Sequence, residues 1–135
     1  MQPRAGLQRA TWLVLALAGA WAAPPVPAGE GEGAAREIAA LLEAVAASDC
    51  EFQRNGRWHP PRAARRHLER KLEQARRLGR DGSAEAFIEQ VASRSSLSGR
   101  PYSVRCAGGR EEPSADWFRR ELQRLREADS SRAPR

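Results

Sequence analysis

Lys71 is a side chain whose type and position could do chemistry. The 135-residue chain contains 22 arginines but a single lysine, which makes this residue type unusual here. Lys71 lies three residues after Leu68 and seven before Leu78, on the apolar stripe of a predicted helix, and His67 lies one turn before it. An inward lysine beside a histidine can transfer a proton or hold an anion. The alternative is a structural lysine that satisfies buried carbonyls or a carboxylate.

A serine-rich loop supplies the second group of candidate side chains. Ser95, Ser96 and Ser98 lie in a short segment that ends in glycine and offers three hydroxyls and several backbone N–H groups. Such a loop can hold an anion, or one serine can act as a nucleophile with Lys71 or the neighbouring histidine as its base. The more common role is structural, since serines after a helix often hydrogen-bond to their own backbone.

The N-terminal segment, residues 1–22, predicts a secretory signal peptide. Arg4 and Arg9 precede a short apolar stretch, and the small residues Ala20 and Ala22 suit the recognition positions of a cleavage site. Cleavage after Ala22 is favoured over the alternative cut six residues later, after the alanine at position 28. No later segment reaches the roughly 18 apolar residues of a membrane span. We therefore expect an exported, periplasmic protein with no transmembrane segment after signal removal.

Export determines how the two cysteines are interpreted. Cys50 and Cys106 are the only cysteines in the chain, and in an oxidising compartment they are expected to form one disulfide. Their wide separation makes a poor metal site, and a C-x-x-C redox motif is absent, so no metal is expected. Two buried free thiols are the alternative.

The mature chain predicts a single α+β domain at 35–128. A flexible spacer rich in proline, glycine and glutamate precedes it at 23–34, and a disordered tail follows at 129–135. The element order is α-β-β-α-α-β-α. In chain order, the predicted elements are a helix at 35–47, strands at 50–54 and 57–59, helices at 61–78 and 83–93, a strand at 101–106 and a helix at 114–128.

The three predicted strands are expected to form an antiparallel sheet in the order 2-1-3. If the third strand lies antiparallel beside the first, the disulfide sets their register. The expected cross-strand pairs are Cys50–Cys106, Phe52–Val104, Arg54–Tyr102 and Glu51–Arg105. The last of these brings opposite charges together on the outer face, which supports the register independently.

The hairpin between the first two strands leaves two possibilities open. Asn55-Gly56 is a strong turn signal because both residues tolerate positive φ. A two-residue turn puts Trp58 opposite Gln53, on the polar face, whereas a three-residue loop with a glycine bulge puts it opposite Arg54. We favour the bulge because a tryptophan is costly to leave in water.

The long predicted helix at 61–78 and the residues just after it hold most of the positive charge. Eight basic residues stand against two glutamates between positions 62 and 80. An anion-binding face is one interpretation, and a solvated helix surface is the favoured one. Aromatic residues are not interleaved with the arginines, and export also argues against nucleic acid, so no nucleic-acid partner is expected.

The sequence also excludes several enzyme classes. The chain is too short for a full Rossmann unit or a TIM barrel. It contains no G-x-S-x-G elbow, H-E-x-x-H motif, P-loop or paired-carboxylate signature. We therefore expect no cofactor.

Several segments of the chain together follow a family pattern. They are Glu37-Ile38, Cys50-Glu51-Phe52-Gln53-Arg54-Asn55-Gly56, His67-Leu68 with Lys71, Phe87-Ile88, and Ser95-Ser96-Leu97-Ser98-Gly99-Arg100-Pro101-Tyr102. The pattern resembles the YfeK-like family of small exported bacterial proteins, a domain of unknown function, from about Arg36 to Leu125. The resemblance implies a Gram-negative periplasmic protein and implies no activity.

The expected function is a non-enzymatic periplasmic module that binds an anionic ligand or a partner protein of the envelope. The candidate binding residues are Arg54, His67, Lys71, Ser95, Ser96, Ser98 and Tyr102. One alternative is a small serine hydrolase with Lys71 or His67 as its base. The other is a purely structural protein in which these side chains lock the serine loop onto the helix. The distinction depends on whether Lys71 and His67 line an open concavity or end in closed hydrogen bonds.

Overall fold

Helices form where apolar residues recur at helical spacing, and prolines or serines mark where several of them start. The computed structural model describes residues 28–134, and the predicted signal peptide at 1–22 lies outside them. The helices are α1 (Ala28–Ala47), α2 (Pro61–Arg77), α3 (Ala84–Phe87), which continues as a π-helical turn (Ile88–Ala92), and α4 (Ser114–Arg132). Among residues 28–134, no helix is both long enough and apolar enough to cross a membrane.

Helix α1 begins earlier than predicted. It starts at Ala28, so residues 28–34 of the expected flexible spacer are helical. The glycines of this segment favoured a spacer because glycine lowers helix propensity. The stripe from Ile38 to Val45 is buried in the core and holds the helix in place, and extending an existing helix costs far less than starting one.

Helix α4 also extends beyond its predicted end. It runs to Arg132, through the first part of the expected disordered tail at 129–135. The hydroxyls of Ser130 and Ser131 each donate to the backbone oxygen four residues earlier, at 2.9 Å. Extending an existing helix costs far less than starting one, which allows α4 to continue beyond its last apolar stripe residue, Leu125.

The sheet has four strands rather than the three predicted. They are β1 (Cys50–Arg54), β2 (Arg57–His59), β3 (Ser103–Cys106) and β4 (Glu112–Pro113). All neighbours are antiparallel, in the order β2-β1-β3-β4, so the predicted order of the first three is confirmed. The sequence predicts a loop where β4 lies, because a strand of two residues is too short to show an alternating pattern. Only its pairing with β3 creates it.

The predicted register between β1 and β3 is confirmed. Cys50 lies opposite Cys106, and their sulfur atoms are 1.98 Å apart, a bonded distance. Glu51 lies opposite Arg105, and their charged groups approach to 2.8 Å. The ladder ends one pair before the expected Arg54–Tyr102 partnership, although both residues line the same cavity.

The favoured glycine bulge in the hairpin is wrong. Asn55 and Gly56 form a two-residue turn with φ angles of 48° and 79°, and Trp58 lies opposite Gln53. The tryptophan ring is covered from β3 instead, because the Arg105 guanidinium carbon lies 4.0 Å from the ring centroid. A cation over the indole face shields it and contributes favourable energy. The outward position of Trp58 therefore costs less free energy than full exposure of its ring to water would.

The core lies between the inner face of the sheet and the helices. Its largest fully buried side chain is Phe118 of α4, which packs edge-on against Trp117 and Phe87. Trp117 in turn meets Phe52 of β1 edge-on, with ring centroids 5.5 Å apart. These aromatic contacts fix β1, which carries Arg54, and the end of α3 against α4.

Candidate functional site

Lys71 lies inside the protein, as the helical pattern predicts. It is 8% exposed on the buried face of α2. Its ammonium group donates to the backbone oxygens of Val91 and Arg94, each at 2.6 Å, and to the hydroxyl of Tyr102 at 3.2 Å. An ammonium group has three hydrogens, so every donor of Lys71 is engaged.

The carbonyls that Lys71 meets lie at the end of the π-helical turn, in Val91, and just after it, in Arg94. The last carbonyls of a helix have no partner within it, and a cation placed there is stabilised by the helix dipole. Two serines satisfy neighbouring oxygens, since the hydroxyl of Ser93 donates to Ile88 O and that of Ser114 donates to Ala92 O. Lys71 thus closes the end of the π-helical turn and ties α2 to it.

Burial changes the acidity of Lys71. Removal from water, and secondarily the charge of Arg54, lower its pKa to about 8. The ammonium group is therefore still mostly protonated at neutral pH. Its positive charge remains inside the protein, held by uncharged oxygens rather than by a carboxylate.

Arg54 and His67 form the second part of the site. Arg54 Nη1 donates to His67 Nδ1, and His67 Nε2 lies 3.1 Å from the hydroxyl oxygen of Tyr102. A guanidinium group only donates, so Nδ1 accepts and the ring hydrogen belongs on Nε2. His67 Nε2–H then donates to Tyr102. Hydrogen bonds therefore run in one chain from Arg54 through His67 and Tyr102 to Lys71.

His67 is neutral in this arrangement. Burial is the largest cause, and the charges of Arg54 and Lys71 follow, in lowering its pKa to about 4. A positive charge on the ring would be repelled by both neighbouring cations, Arg54 and Lys71. The imidazole therefore serves as a neutral link between them at physiological pH.

The hydroxyl of Tyr102 keeps a hydrogen that it can donate. Its oxygen accepts from Lys71 and, by the tautomer argued above, from His67. With the ring hydrogen of His67 on Nε2, neither of these two partners can accept the phenolic hydrogen. Burial raises the pKa of Tyr102, so the group stays protonated. The side chain is only 6% exposed.

A small cavity opens beside this chain of hydrogen bonds. Its volume is about 30 Å³, and its polar lining includes Arg54, His59, His67 and Tyr102. By the same measure a single water needs roughly 10–15 Å³. The cavity therefore accommodates a small group and excludes a large ligand.

The positive charges around the cavity lack an anionic partner in the part of the chain that the structure describes. Within residues 28–134, no carboxylate lies within ion-pairing distance of Arg54 or Lys71. Half-buried like charges repel each other, and the free energy of the region falls when an anion approaches. This electrostatic imbalance is the main chemical property of the site.

The hydroxyl of Ser95 is engaged in its own loop. It accepts from the backbone N–H groups of Leu97 and Ser98, each at 3.3 Å, and its backbone N–H donates to Arg100 O. Side-chain bonds of this kind are typical of serine turns. Ser95 therefore shapes the loop.

The other two serines differ from each other. Ser98 donates its hydroxyl hydrogen to the side-chain oxygen of Asn55 at 3.2 Å, which fastens the loop to the hairpin turn, whereas Ser96 is exposed. In the described part of the chain, none of the loop hydroxyls is hydrogen-bonded to Lys71 or His67. The structure therefore brings Arg54, His67, Lys71 and Tyr102 together and places the serines beside them.

His59 belongs to the site, although sequence reasoning passed over it. It lines the cavity, and burial together with the charges of Arg54 and Arg57 lowers its pKa. The signal was present in the hairpin: a two-residue turn puts His59 opposite Phe52, on the inner face of the sheet. The favoured glycine bulge would place Trp58, and not His59, on this face of the sheet.

One cluster has the composition of a metal site but not its chemistry. Asp49 lies within 4.8 Å of the sulfur atoms of Cys50 and Cys106. Metals bind the thiolate form of cysteine, and both sulfurs are joined in the disulfide. This cluster therefore offers a single carboxylate and no thiolate ligand.

Comparison with known proteins gives a family but no activity. The sequence model described as "Family of unknown function (DUF5329)" matches residues 32–126. The "Uncharacterized protein YfeK" of Salmonella typhimurium (strain LT2) is 46% identical over 66 residues, which are 48% of this chain and 53% of that protein. The chain thus spans about half the length of this curated relative. No solved structure matches.

Proposed function

The chain belongs to DUF5329, a family of unknown function, and from its own geometry we propose that it is an exported module that binds a small anion. The family assignment agrees with the resemblance to YfeK-like proteins that the sequence predicts. The family description supplies no ligand, so the proposal depends on the side chains around the cavity.

The observation that carries the proposal is the environment of Arg54. Its guanidinium group lines the cavity, and its side-chain partner is a neutral imidazole rather than a carboxylate. Lys71 adds a second positive charge from the interior. A cation without a counter-charge gains more from an incoming anion than one that already has a partner, because no existing ion pair has to be broken.

The available donors support an acceptor-only ligand. Arg54 has further N–H groups besides the one given to His67, and Tyr102 has a hydroxyl hydrogen to donate. Both residues line the same cavity. An oxyanion accepts from both and offers no hydrogen that would compete with theirs.

The remaining candidates support the site rather than contact the ligand in this proposal. Lys71 has all three donors engaged, Ser95 shapes the loop, and Ser98 fastens the loop to the hairpin. A serine nucleophile requires a base within hydrogen-bonding reach of its hydroxyl. The observed partners of Ser95 and Ser98 are backbone groups and Asn55, which favours binding over hydrolysis.

Export and periplasmic location remain part of the proposal. The basic and apolar pattern of the N-terminal segment supports them. The bonded pair Cys50–Cys106 is consistent with them, since disulfides persist in oxidising compartments. The ligand is then expected among anionic components of the envelope, either free or displayed by a partner protein.

A sulfate titration followed by backbone amide NMR tests the proposal. We expect saturable shifts at Tyr102 and His67, and a loss of affinity of about 10- to 100-fold in Arg54→Ala, because a hydrogen bond to a charged group is removed. Arg57→Ala is the matched control, since it removes the same charge from the directly paired position on β2. Equal losses in the two variants, or the absence of saturable shifts with both sulfate and acetate, would refute the site.

A further inference from the structure

The cavity beside Arg54 is polar at its edge and apolar inside. Arg54, His59 and His67 are only half-buried, so they form its accessible edge. The deeper walls are buried apolar side chains from four elements. They are Phe52 of β1, Ala64 and Leu68 of α2, Ala92 of the π-helical turn and Phe118 of α4, joined by the half-buried Ala63.

This division constrains the chemistry of a ligand. A phosphate or sulfate is hydrated on every side, and pushing its oxygens against apolar walls would leave them without hydrogen bonds. A carboxylate has one charged end and one substituent. It can keep both oxygens at the polar edge while the substituent enters the apolar space.

The size of the cavity limits that substituent. A volume of about 30 Å³ equals roughly two water-sized groups. A hydrocarbon group of about two carbons therefore fits, and a longer chain must remain outside or force the walls apart. Close-packed protein interiors resist such expansion.

Tyr102 provides a second, independent indication of an acceptor in this place. The side chain is more than nine-tenths buried, and its hydroxyl hydrogen is left over after Lys71 and His67 have donated to the oxygen. A buried donor without an acceptor costs free energy. An oxygen atom placed between Tyr102 and Arg54 would satisfy it.

We infer that the site recognises a carboxylate with a short apolar substituent, whose oxygens accept from Arg54 and Tyr102 while the substituent fills the cavity. This inference rests on the proposed function, because it names the ligand class for the same site. It excludes polyanions and long-chain fatty acids as preferred ligands.

The test is a chain-length series on the full mature protein. Formate, acetate, propionate, butyrate and pentanoate are titrated as sodium salts while the amide signals of Tyr102 and His67 are followed by NMR. We expect affinity to rise about fourfold for each carbon from formate to propionate, the increment of one buried methylene, and to fall by pentanoate. Sulfate is titrated in parallel as an anion without an apolar substituent.

A cavity-filling variant separates shape from charge. Ala63→Val places two extra methyl groups at the cavity wall and leaves every polar residue unchanged, so it should abolish the preference for propionate over formate and retain sulfate binding. Ala75→Val is the matched control, because Ala75 is also a half-buried alanine of α2 but does not line the cavity. It should keep the preference.

The outcomes separate the two proposals. Sulfate and all carboxylates binding with the same affinity would overturn the carboxylate inference and leave the anion site standing. A preference for propionate that survives in Ala63→Val would also overturn it, because the substituent would then lie elsewhere. If neither sulfate nor any carboxylate produces saturable shifts, the proposed function itself fails.

Discussion

Two arginines of this protein show how differently the same side chain is used. Arg126 of α4 contacts Glu37 at 2.7 Å and Glu85 at 2.6 Å, and the hydrogen bond with Glu37 is the largest cause that raises its pKa. Arg54 meets a neutral histidine and has no carboxylate within reach in the described chain. The first cation is already neutralised, whereas the second can gain from a ligand.

The same contrast extends over the surface of the molecule. On α2, the exposed Arg62, Arg66 and Arg70 have no carboxylate within ion-pairing distance in the described chain, but most other solvent-facing arginines of the helices have an acidic neighbour. Such pairs are Arg65–Glu43, Arg77–Glu73, Arg119–Asp116, Arg120–Glu112 and Arg124–Glu121. The partner of a cation therefore indicates function more clearly than the number of cations does.

The largest expected effect concerns the disulfide bond that links two strands of the sheet. The bond between Cys50 and Cys106 joins the strand that carries Arg54 to the strand that follows Tyr102. Replacing both cysteines by serine should lower the free energy of unfolding by roughly 4 kcal/mol, the value for a loop of this size. Urea unfolding measures it. Equal stability of the variant and the oxidised parent would contradict the structural role of the bond.

The next effect tests whether the buried charge of Lys71 is structural. Lys71→Met should lower the free energy of unfolding by about 2 kcal/mol, because it leaves two buried carbonyl oxygens without donors. Lys71→Arg should be no better tolerated, since the planar guanidinium group does not fit the same three acceptors. Arg76→Lys, on the exposed face of α2, should change stability by less than about 0.5 kcal/mol. Parental stability in both Lys71 variants would show that the interior contacts contribute nothing.

The pH dependence of stability sharpens the comparison further. The folded-state pKa of His67, about 4, lies below its ordinary value of 6.5, so between these values the unfolded chain binds a proton that the folded chain refuses. Stability should therefore fall as the pH drops from 6.5 to 4. His67→Gln should remove part of this loss, measured by urea unfolding at pH 7 and pH 4.5. Identical losses in parent and variant would show that His67 is not held neutral.

The charges that act on His67 come from three elements, β1, α2 and β2. Arg54, Lys71, Arg70 and His59 all act in the same direction, after burial, to lower its pKa. His59→Gln is the control for the pH experiment, since the pKa of His59 is lowered as well but the ring is mainly at the edge of the cavity. It should remove a smaller part of the loss.

The smallest effect is expected at Arg126, the arginine that already has carboxylate partners. Arg126→Ala should cost at most about 1 kcal/mol, because exposed ion pairs contribute little, and the cost should shrink in high salt. Thermal unfolding at low and high ionic strength measures it. A larger cost that does not depend on salt would mean that packing of the arginine stem, and not charge, stabilises α4.

Much of the fold follows from local patterns in the sequence. Alternation along β1 and β3 places the cysteines opposite each other, and helical spacing places Lys71 inside. Both predictions depend on residues within one element or on one covalent constraint. The turn conformation depended on a distant arginine: Trp58 could remain outward because Arg105 covers it.

The candidate site was only partly predictable for the same reason. The pattern indicates that Lys71 faces inward but not what it meets, because its two carbonyl partners, Val91 O and Arg94 O, lie 20 and 23 residues away in the sequence. Strand β4 likewise exists only through pairing. Contacts between distant segments create these features, so the residue pattern of a single sequence does not predict them.

The central claim is that the uncompensated charge around Arg54 attracts an anion, and the acidity of His67 reports on it directly. NMR titration of the His67 ring between pH 3 and pH 8 should show its pKa rising from about 4 toward the ordinary value when sulfate saturates the site, because a bound anion offsets the neighbouring cations. In Arg54→Ala the pKa should start higher and no longer respond to sulfate. An unchanged pKa of His67 in the parent at saturating sulfate would contradict the account.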